Sequence, residues 1–199
     1  MNPNPLTLDC DTAAKLFRAR ALMWHAAPAL RWKARGIWHS ATWAEYLDAA
    51  CAVGLALADL GVARGEVVTV LAENRPEWLY ADMGAQCMGM IGNGIYPTSS
   101  PEQVEYVLTD SQTRVLLVED DRQLDKALAV RGRCPRLKQI VVMETAGLRG
   151  LADPMVTSFA DFIARGRQLA AARGADFDAA IDRGRPEDIA FLEIGRAHV

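Results

Sequence analysis

The chain has 199 residues, 51% of them hydrophobic and 24% charged, in proportions ordinary for a soluble globular protein with one substantial core. Its net charge of −3, from 22 basic and 25 acidic side chains without a sustained basic run, argues against nucleic-acid binding. The longest apolar run, Cys51 to Ala58, is bracketed by Asp48 and Asp59 and falls far short of the roughly 20 residues that cross a bilayer.

In chain order, Asp11-Thr12 opens a helix reaching about Ala27, with Leu16, Ala19, Leu22 and Met23 on one face. Leu30 to Lys33 and Gly36 to His39 read as two short strands about a turn at Gly36. Thr42 with Glu45 three residues on forms a capping-box pattern, and the helix it starts runs to Leu60 and stops at Gly61. Val67 to Ala72 is a continuous, β-branched apolar run, as in a strand buried on both faces. Pro76 opens a helix to about Met90, with Trp78, Leu79 and Met83 expected to pack inward.

Gly92, Gly94 and Ile95 then read as passing into a loop, Pro97 to Ser100, before a helix from Pro101 to Asp110. A buried strand over Arg114–Val118, a helix over Asp121–Arg131 and a strand over Gln139–Met143 follow. The chain turns loopy from Glu144 to Pro154. Surface helices are expected over Phe159–Ala172 and Asp176–Asp182, and Ile189 to Leu192 reads as the start of another strand. This alternation predicts an α/β fold: a parallel sheet with helices on both faces.

Candidate chemistry is sparse. Gly89, Gly92 and Gly94 follow a helix, not the strand that a dinucleotide-binding turn requires, so they read as close backbone approach and a turn. Cys10, Cys51, Cys87 and Cys134 lack metal-site spacing, and Cys51 and Cys87 read as small buried hydrophobes. His25, His39 and His198 are isolated from any nucleophile motif. Glu119-Asp120-Asp121 reads as a solvated strand–helix link whose charge suits a helix N-terminus, in preference to a metal cluster. The first residues, Met-Asn-Pro-Asn-Pro, carry no signal pattern, and a cytoplasmic location is expected.

Three segments carry a family resemblance: Gly36-Ile37-Trp38 with Thr42 to Leu47; Val70 to Tyr80, containing Asn74-Arg75-Pro76-Glu77-Trp78; and Gly94 to Leu108, opening Gly-Ile-Tyr-Pro-Thr. In order and spacing they resemble the N-terminal subdomain of the adenylate-forming superfamily, in its long-chain fatty-acid–CoA ligase branch. The resemblance covers about Leu16 to Leu192. It implies an ATP-dependent, AMP-forming ligase that converts a fatty acid to an acyl-adenylate and then to acyl-CoA, using ATP, Mg2+ and coenzyme A. A non-catalytic nucleotide-binding or interaction module of the same fold, and a ligase for another carboxylic acid, are the alternatives.

In such ligases the strand at Ile189 would continue into a glycine-rich phosphate loop, Tyr-Thr-Ser-Gly-Thr-Thr-Gly-x-Pro-Lys-Gly. Here Leu192 is followed by Glu193 to Val199. The Ile-Gly-Arg-Ala-His-Val ending matches translation of a sequencing-adapter read-through, so the expected organisation is a partial AMP-binding subdomain over 1–192 and a non-native tail over 193–199, with a genuine short paralogue carrying a divergent tail as the alternative. No catalytic, cofactor or metal residue is assigned, and the chain alone is expected to be inactive. Asn74, Tyr96 and Thr98, in loops at strand carboxyl ends, are the candidate pocket-wall residues. Arg75, Pro76, Trp78 and Pro97 are read as structural signature positions.

Overall fold

The computed structural model describes residues 10–148, 150 and 152–193; the expected tail lies outside these apart from Glu193. Helix α1 (Ala13–Trp24) starts at Thr12, whose hydroxyl accepts from the Lys15 amide at 3.3 Å. It stops one turn short of the expected Ala27, because the chain there already heads into strand β1 (Pro28–Ala34). Pro28 disfavours helical backbone in the residue before it. Strand β2 (Ile37–Thr42) pairs antiparallel with β1, and the connecting Arg35 and Gly36 both have positive φ, 49° and 80°, as a tight two-residue hairpin needs.

Thr42 and Glu45 form the expected capping box at the start of α2 (Trp43–Asp59). Strand β3 (Val67–Leu71) is buried throughout. Helix α3 (Pro76–Cys87) begins at its proline, and α4 (Pro101–Asp110) has a second capping box, Ser100 with Gln103. Between them lies β4 (Ile91–Ile95), a strand where the sequence suggests the start of a loop. Strand β5 (Val115–Val118), helix α5 (Asp121–Val130) and strand β6 (Gln139–Val142) follow as expected. Strand β7 (Val156–Ser158), helix α6 (Phe159–Asp182) and strand β8 (Phe191–Leu192) complete the described elements.

Six parallel strands form one sheet in the order β7-β6-β5-β3-β4-β8. Alternate residues of the buried strands point to opposite faces. Val68, Val70, Val115, Leu117 and Val141 meet Val53, Ala56 and Leu57 of α2, Ala81 and Ala85 of α3, and Phe159 and Phe162 of α6. On the other face Leu71, Leu116, Val118, Ile140 and Val142 meet Val104 and Leu108 of α4 and Leu124, Ala127 and Val130 of α5. Phe17 and Ala14 of α1 join a third apolar cluster over α2, α3 and α6.

One expectation about helices is refined and one corrected. The two surface helices are joined end to end as α6 with a non-helical kink between them at Arg173 (φ −126°, ψ 15°), their outer residues exposed and an inner stripe of Phe159, Phe162, Gly166, Phe177, Ala180 and Ile181 buried. A Cβ on Gly166 would lie 1.9 Å from the Ala52 carbonyl oxygen, so α6 rides directly on the backbone of α2. In α3 the buried residues are Ala81, Gly84, Ala85 and Cys87; Trp78 and Met83 are half-buried, and Leu79 is exposed. Small residues face the core because α2 lies too close for larger ones: a Cβ on Gly84 would stand 2.7 Å from the Ala50 carbonyl.

Candidate functional site at the carboxyl edge of the sheet

The crossover from β3 passes over one face of the sheet and that from β5 over the other, so their carboxyl ends part at a topological switch point. Open parallel sheets place ligands at such crevices. Here the crevice is filled by an ion-pair network centred on Arg75. Its Nε donates to Glu77 Oε2 at 2.8 Å and its Nη2 to Glu77 Oε1 at 3.2 Å. Its Nη1 donates to Glu144 Oε1, beyond β6, at 3.0 Å, and lies 3.5 Å from Glu119 Oε1, beyond β5. The second Glu119 oxygen accepts from the Glu73 amide at 2.8 Å. Arg75 therefore ties together the ends of three adjacent strands.

The three candidate wall residues are not brought into one pocket. Asn74 is exposed and lines a groove of about 260 Å3 between the β1–β2 hairpin and the start of α3, with Leu30, Trp32, Pro76 and Trp78. Tyr96, 66% exposed, lines a different groove against α4, with Ser99, Gln103 and Tyr106. Thr98 is exposed and lines neither. The loop from Tyr96 to Ser100 is anchored by Lys126, whose Nζ donates to the Pro97 carbonyl at 2.6 Å. Trp78 packs against Phe191 of β8, ring centroids 5.8 Å apart.

The side chains at the switch point do not fit an ATP triphosphate. The one guanidinium there is committed to three carboxylates, and a further polyanion would face Glu119 and Glu144 at close range. In the Glu119-Asp120-Asp121 run, Asp120 caps α5 by accepting from the Gln123 amide at 3.1 Å, and Asp121 accepts from the Arg122 amide at 2.9 Å. Among the described residues no group of three or more His, Cys, Asp or Glu side chains is placed to hold a metal ion. All four cysteines are free; Cys87 is buried, whereas Cys51 is half-buried, its thiol pushed up to about 11 by burial and by Asp48.

Two polar features have no signal in the local sequence. A buried chain of hydrogen bonds crosses the sheet, from Asn93 Nδ2 to Thr69 Oγ1 (3.2 Å), Thr69 to Thr113 (2.6 Å) and Thr113 to Ser111 (2.7 Å). Thr69 lies within the otherwise apolar run Val67–Ala72, and Asn93 sits between two glycines in a segment with the composition of a turn. Asp82 of α3 is the second feature: burial holds its carboxyl above the usual aspartate range, partly offset by the Gln86 amide at 3.0 Å.

A family profile described as AMP-binding enzyme matches residues 17–192. A long-chain-fatty-acid–CoA ligase of Drosophila melanogaster, heimdall, is 33% identical over 139 residues, covering 68% of this chain and 20% of that protein. The long-chain-fatty-acid–CoA ligase FadD15 of Mycobacterium bovis is 34% identical over 116 residues, or 58% of this chain and 19% of the relative. The chain thus spans about a fifth of the length of these curated relatives. The crystal structure of the anthranilate CoA ligase AuaEII with anthranoyl-AMP superposes with a TM-score of 0.68 at 28% identity, covering 81% of this chain and 29% of that one. The adenylation domain of a carboxylate reductase from Mycobacterium chelonae superposes with a TM-score of 0.70 at 17% identity, covering 82% and 30%, a likeness of fold alone. With a profile match over nearly its whole length and a parallel sheet superposing on adenylate-forming enzymes, the chain belongs to the AMP-binding enzyme family.

Proposed function

We propose that this chain is the N-terminal scaffold of an ATP-dependent ligase that activates a long-chain fatty acid as its acyl-adenylate and transfers it to coenzyme A. The observation that carries this reading is the similarity to long-chain-fatty-acid–CoA ligases, 33% identity over 139 residues in one case. In this reading Asn74, Tyr96 and Thr98 lie on the rim of the substrate region without a chemical step of their own. Arg75, Pro76, Trp78 and Pro97 hold strand ends and loops in place. ATP, Mg2+ and coenzyme A would act through residues beyond Leu192, since the described carboxyl edge is too acidic to hold the triphosphate. Residues 1–192 form one partial subdomain, and 193–199 are foreign to it. The isolated chain is then inactive.

The likeness to an anthranilate CoA ligase at 28% identity supports a second substrate class, an aromatic acid. One experiment addresses both. ATP–pyrophosphate exchange is measured with the complete coding region and with this chain, against palmitate, octanoate and anthranilate. Exchange by the complete protein with palmitate above the others is expected, with none from this chain. Preference for anthranilate would replace the long-chain reading, and acid-dependent exchange by this chain, free of host ligases, would overturn the inactivity.

A further inference from the structure

Strand β8 is held by β4 alone among the described residues. Gly92 donates its amide to the Ala190 carbonyl at 3.0 Å, and Phe191 and Leu192 stand opposite Gly92 and Asn93. On the α3 side the strand is closed by the Phe191 ring, which lies against Trp78 and over Gly92. The Asp82 carboxyl reaches the same place from α3. Its Oδ1 lies 2.6 Å from the point a Gly92 Cβ would take, and Phe191 Cδ2 lies 2.7 Å from that point. Ring and carboxyl are therefore neighbours in the space that the glycine leaves free. The gap they enclose with Val68, Val70 and Ala81 has no room for a water molecule.

A carboxylate is poorly served in this seam. Gln86 Nε2 donates to both of its oxygens at 3.0 Å, but among the described residues no cation offsets its charge. Strands β3 and β8 offer it only apolar side chains. The titratable groups that feel its charge are Cys87 on its own helix and Tyr46 on α2. Both are pushed up chiefly by burial, with the Asp82 charge adding to it, so both stay neutral through the acid range. Past Gln86, Arg64 is paired with Asp188, and Asp11 with Lys15. Burial accordingly holds the Asp82 carboxyl above the usual aspartate range.

A buried charge is relieved by water, and on this side water reaches the carboxyl only when Phe191 moves. Phe191 takes β8 with it, because it is one of the strand's two residues. We infer that Asp82 is a pH-sensitive latch on β8: with its proton it lets Phe191 close over Gly92, and ionised it draws water into the seam and releases the strand from β4. The closed seam binds the proton more tightly than the open one, where the hydrated carboxyl titrates near the ordinary value of about 3.9. Opening therefore increases as pH rises from there through the raised value and levels off above it, by about tenfold for each unit separating the two. In the ligase reading β8 leads toward the residues that hold ATP, and only that consequence of the latch rests on the reading.

The test is hydrogen exchange of the full chain, dilute, read by mass spectrometry between pH 4 and pH 7 with each rate divided by the intrinsic rate at that pH. In the parent, peptides covering β8 and the facing part of β4 should lose protection as pH rises and then level off. In D82N, which keeps the shape and removes the charge, they should hold their acid protection throughout. Peptides covering β3 should stay protected in both, which separates opening of the seam from unfolding. The Asp82 carboxyl itself gives a second readout by carbon-13 NMR. In F191A, with water admitted, its titration should move back toward the ordinary aspartate value. The proposal is overturned if β8 loses protection equally in D82N, if the parent shows no dependence on pH, if β3 opens in step with β8, or if F191A leaves the titration where it was. None of these readouts requires ATP or an acyl substrate, so they stand apart from the ligase reading.

Discussion

At the scale of single residues, Trp78 and Asp82 define what α3 contributes. Trp78 is half-buried, bridging α3 to Phe191 on β8 and touching the space a Gly94 side chain would occupy. Truncating a fully buried tryptophan costs about 3–5 kcal/mol, so Trp78→Ala should cost roughly 2–3 kcal/mol, read as a lower denaturant midpoint. A stable variant of the complete protein with lost turnover would instead make Trp78 a site residue. Asp82 has the opposite character. Its folded-state carboxyl is raised because burial disfavours the charge, so at pH values between the unfolded and the folded titration the native state binds more proton than the unfolded chain. Stability therefore falls as pH rises from the ordinary aspartate value of about 3.9 through the raised one. Asp82→Asn should raise the melting temperature at pH 7, and the gain should shrink toward pH 4. A variant no more stable than the parent at pH 7 would show that the charge is better solvated than its surroundings indicate.

At the scale of elements, the layer of α2, α3 and α6 is set by how closely backbones approach. Gly166 is the tightest point, with the Ala52 carbonyl where a methyl would have to go. Since the obstacle is backbone, neither helix can yield by a rotamer change. Gly166→Ala should destabilise by about 1–3 kcal/mol or more. Gly174, later in the same helix, has no heavy atom within 4 Å of an added Cβ, so Gly174→Ala should be neutral or gain up to about 1 kcal/mol in helix propensity. Thermal melts of the two variants decide the matter: equal effects would mean that the α2–α6 contact is looser than described.

At the scale of the whole molecule, the sheet ends on one side at β8, two residues long and paired only with β4 among the described residues. Near that side Tyr96 and Tyr106 are 66% and 63% exposed around the groove at α4, and Ile189 is 58% exposed. A parallel sheet is ordinarily covered on both faces, and an open apolar edge invites pairing with another chain. The protein expressed alone should bind a hydrophobic-surface dye and sediment faster as its concentration rises. A monodisperse monomer with a sharp melt and no dye binding would show that this edge is protected.

Much of this was legible in the sequence, because local rules and tertiary packing agree there. The β-branched run over Val67–Leu71, prolines at the first turns of α3 and α4, and the Thr42–Glu45 box state their own conformations, and the strand–helix alternation leaves a parallel sheet as the economical way to bury them. The motif around Asn74–Trp78 also indicated the family, but not the role of Arg75, whose partners Glu119 and Glu144 come from distant strands. The same limit explains β4. Ile-Gly-Asn-Gly-Ile has the composition of a turn, yet it lies between β3 and β8, with Asp82 and Phe191 so near Gly92 that an added Cβ would stand 2.6–2.7 Å from them. Glycine is there for proximity, and proximity between residues ten and a hundred apart is not written in local propensity. The sequence by itself determined the fold class, the order of most elements and the family. Only the tertiary structure decided that α6 meets α2 backbone to backbone at Gly166, that Arg75 closes the switch point, and that Asn74, Tyr96 and Thr98 face separate places, since each depends on which distant segments become neighbours once the sheet and its helices are assembled.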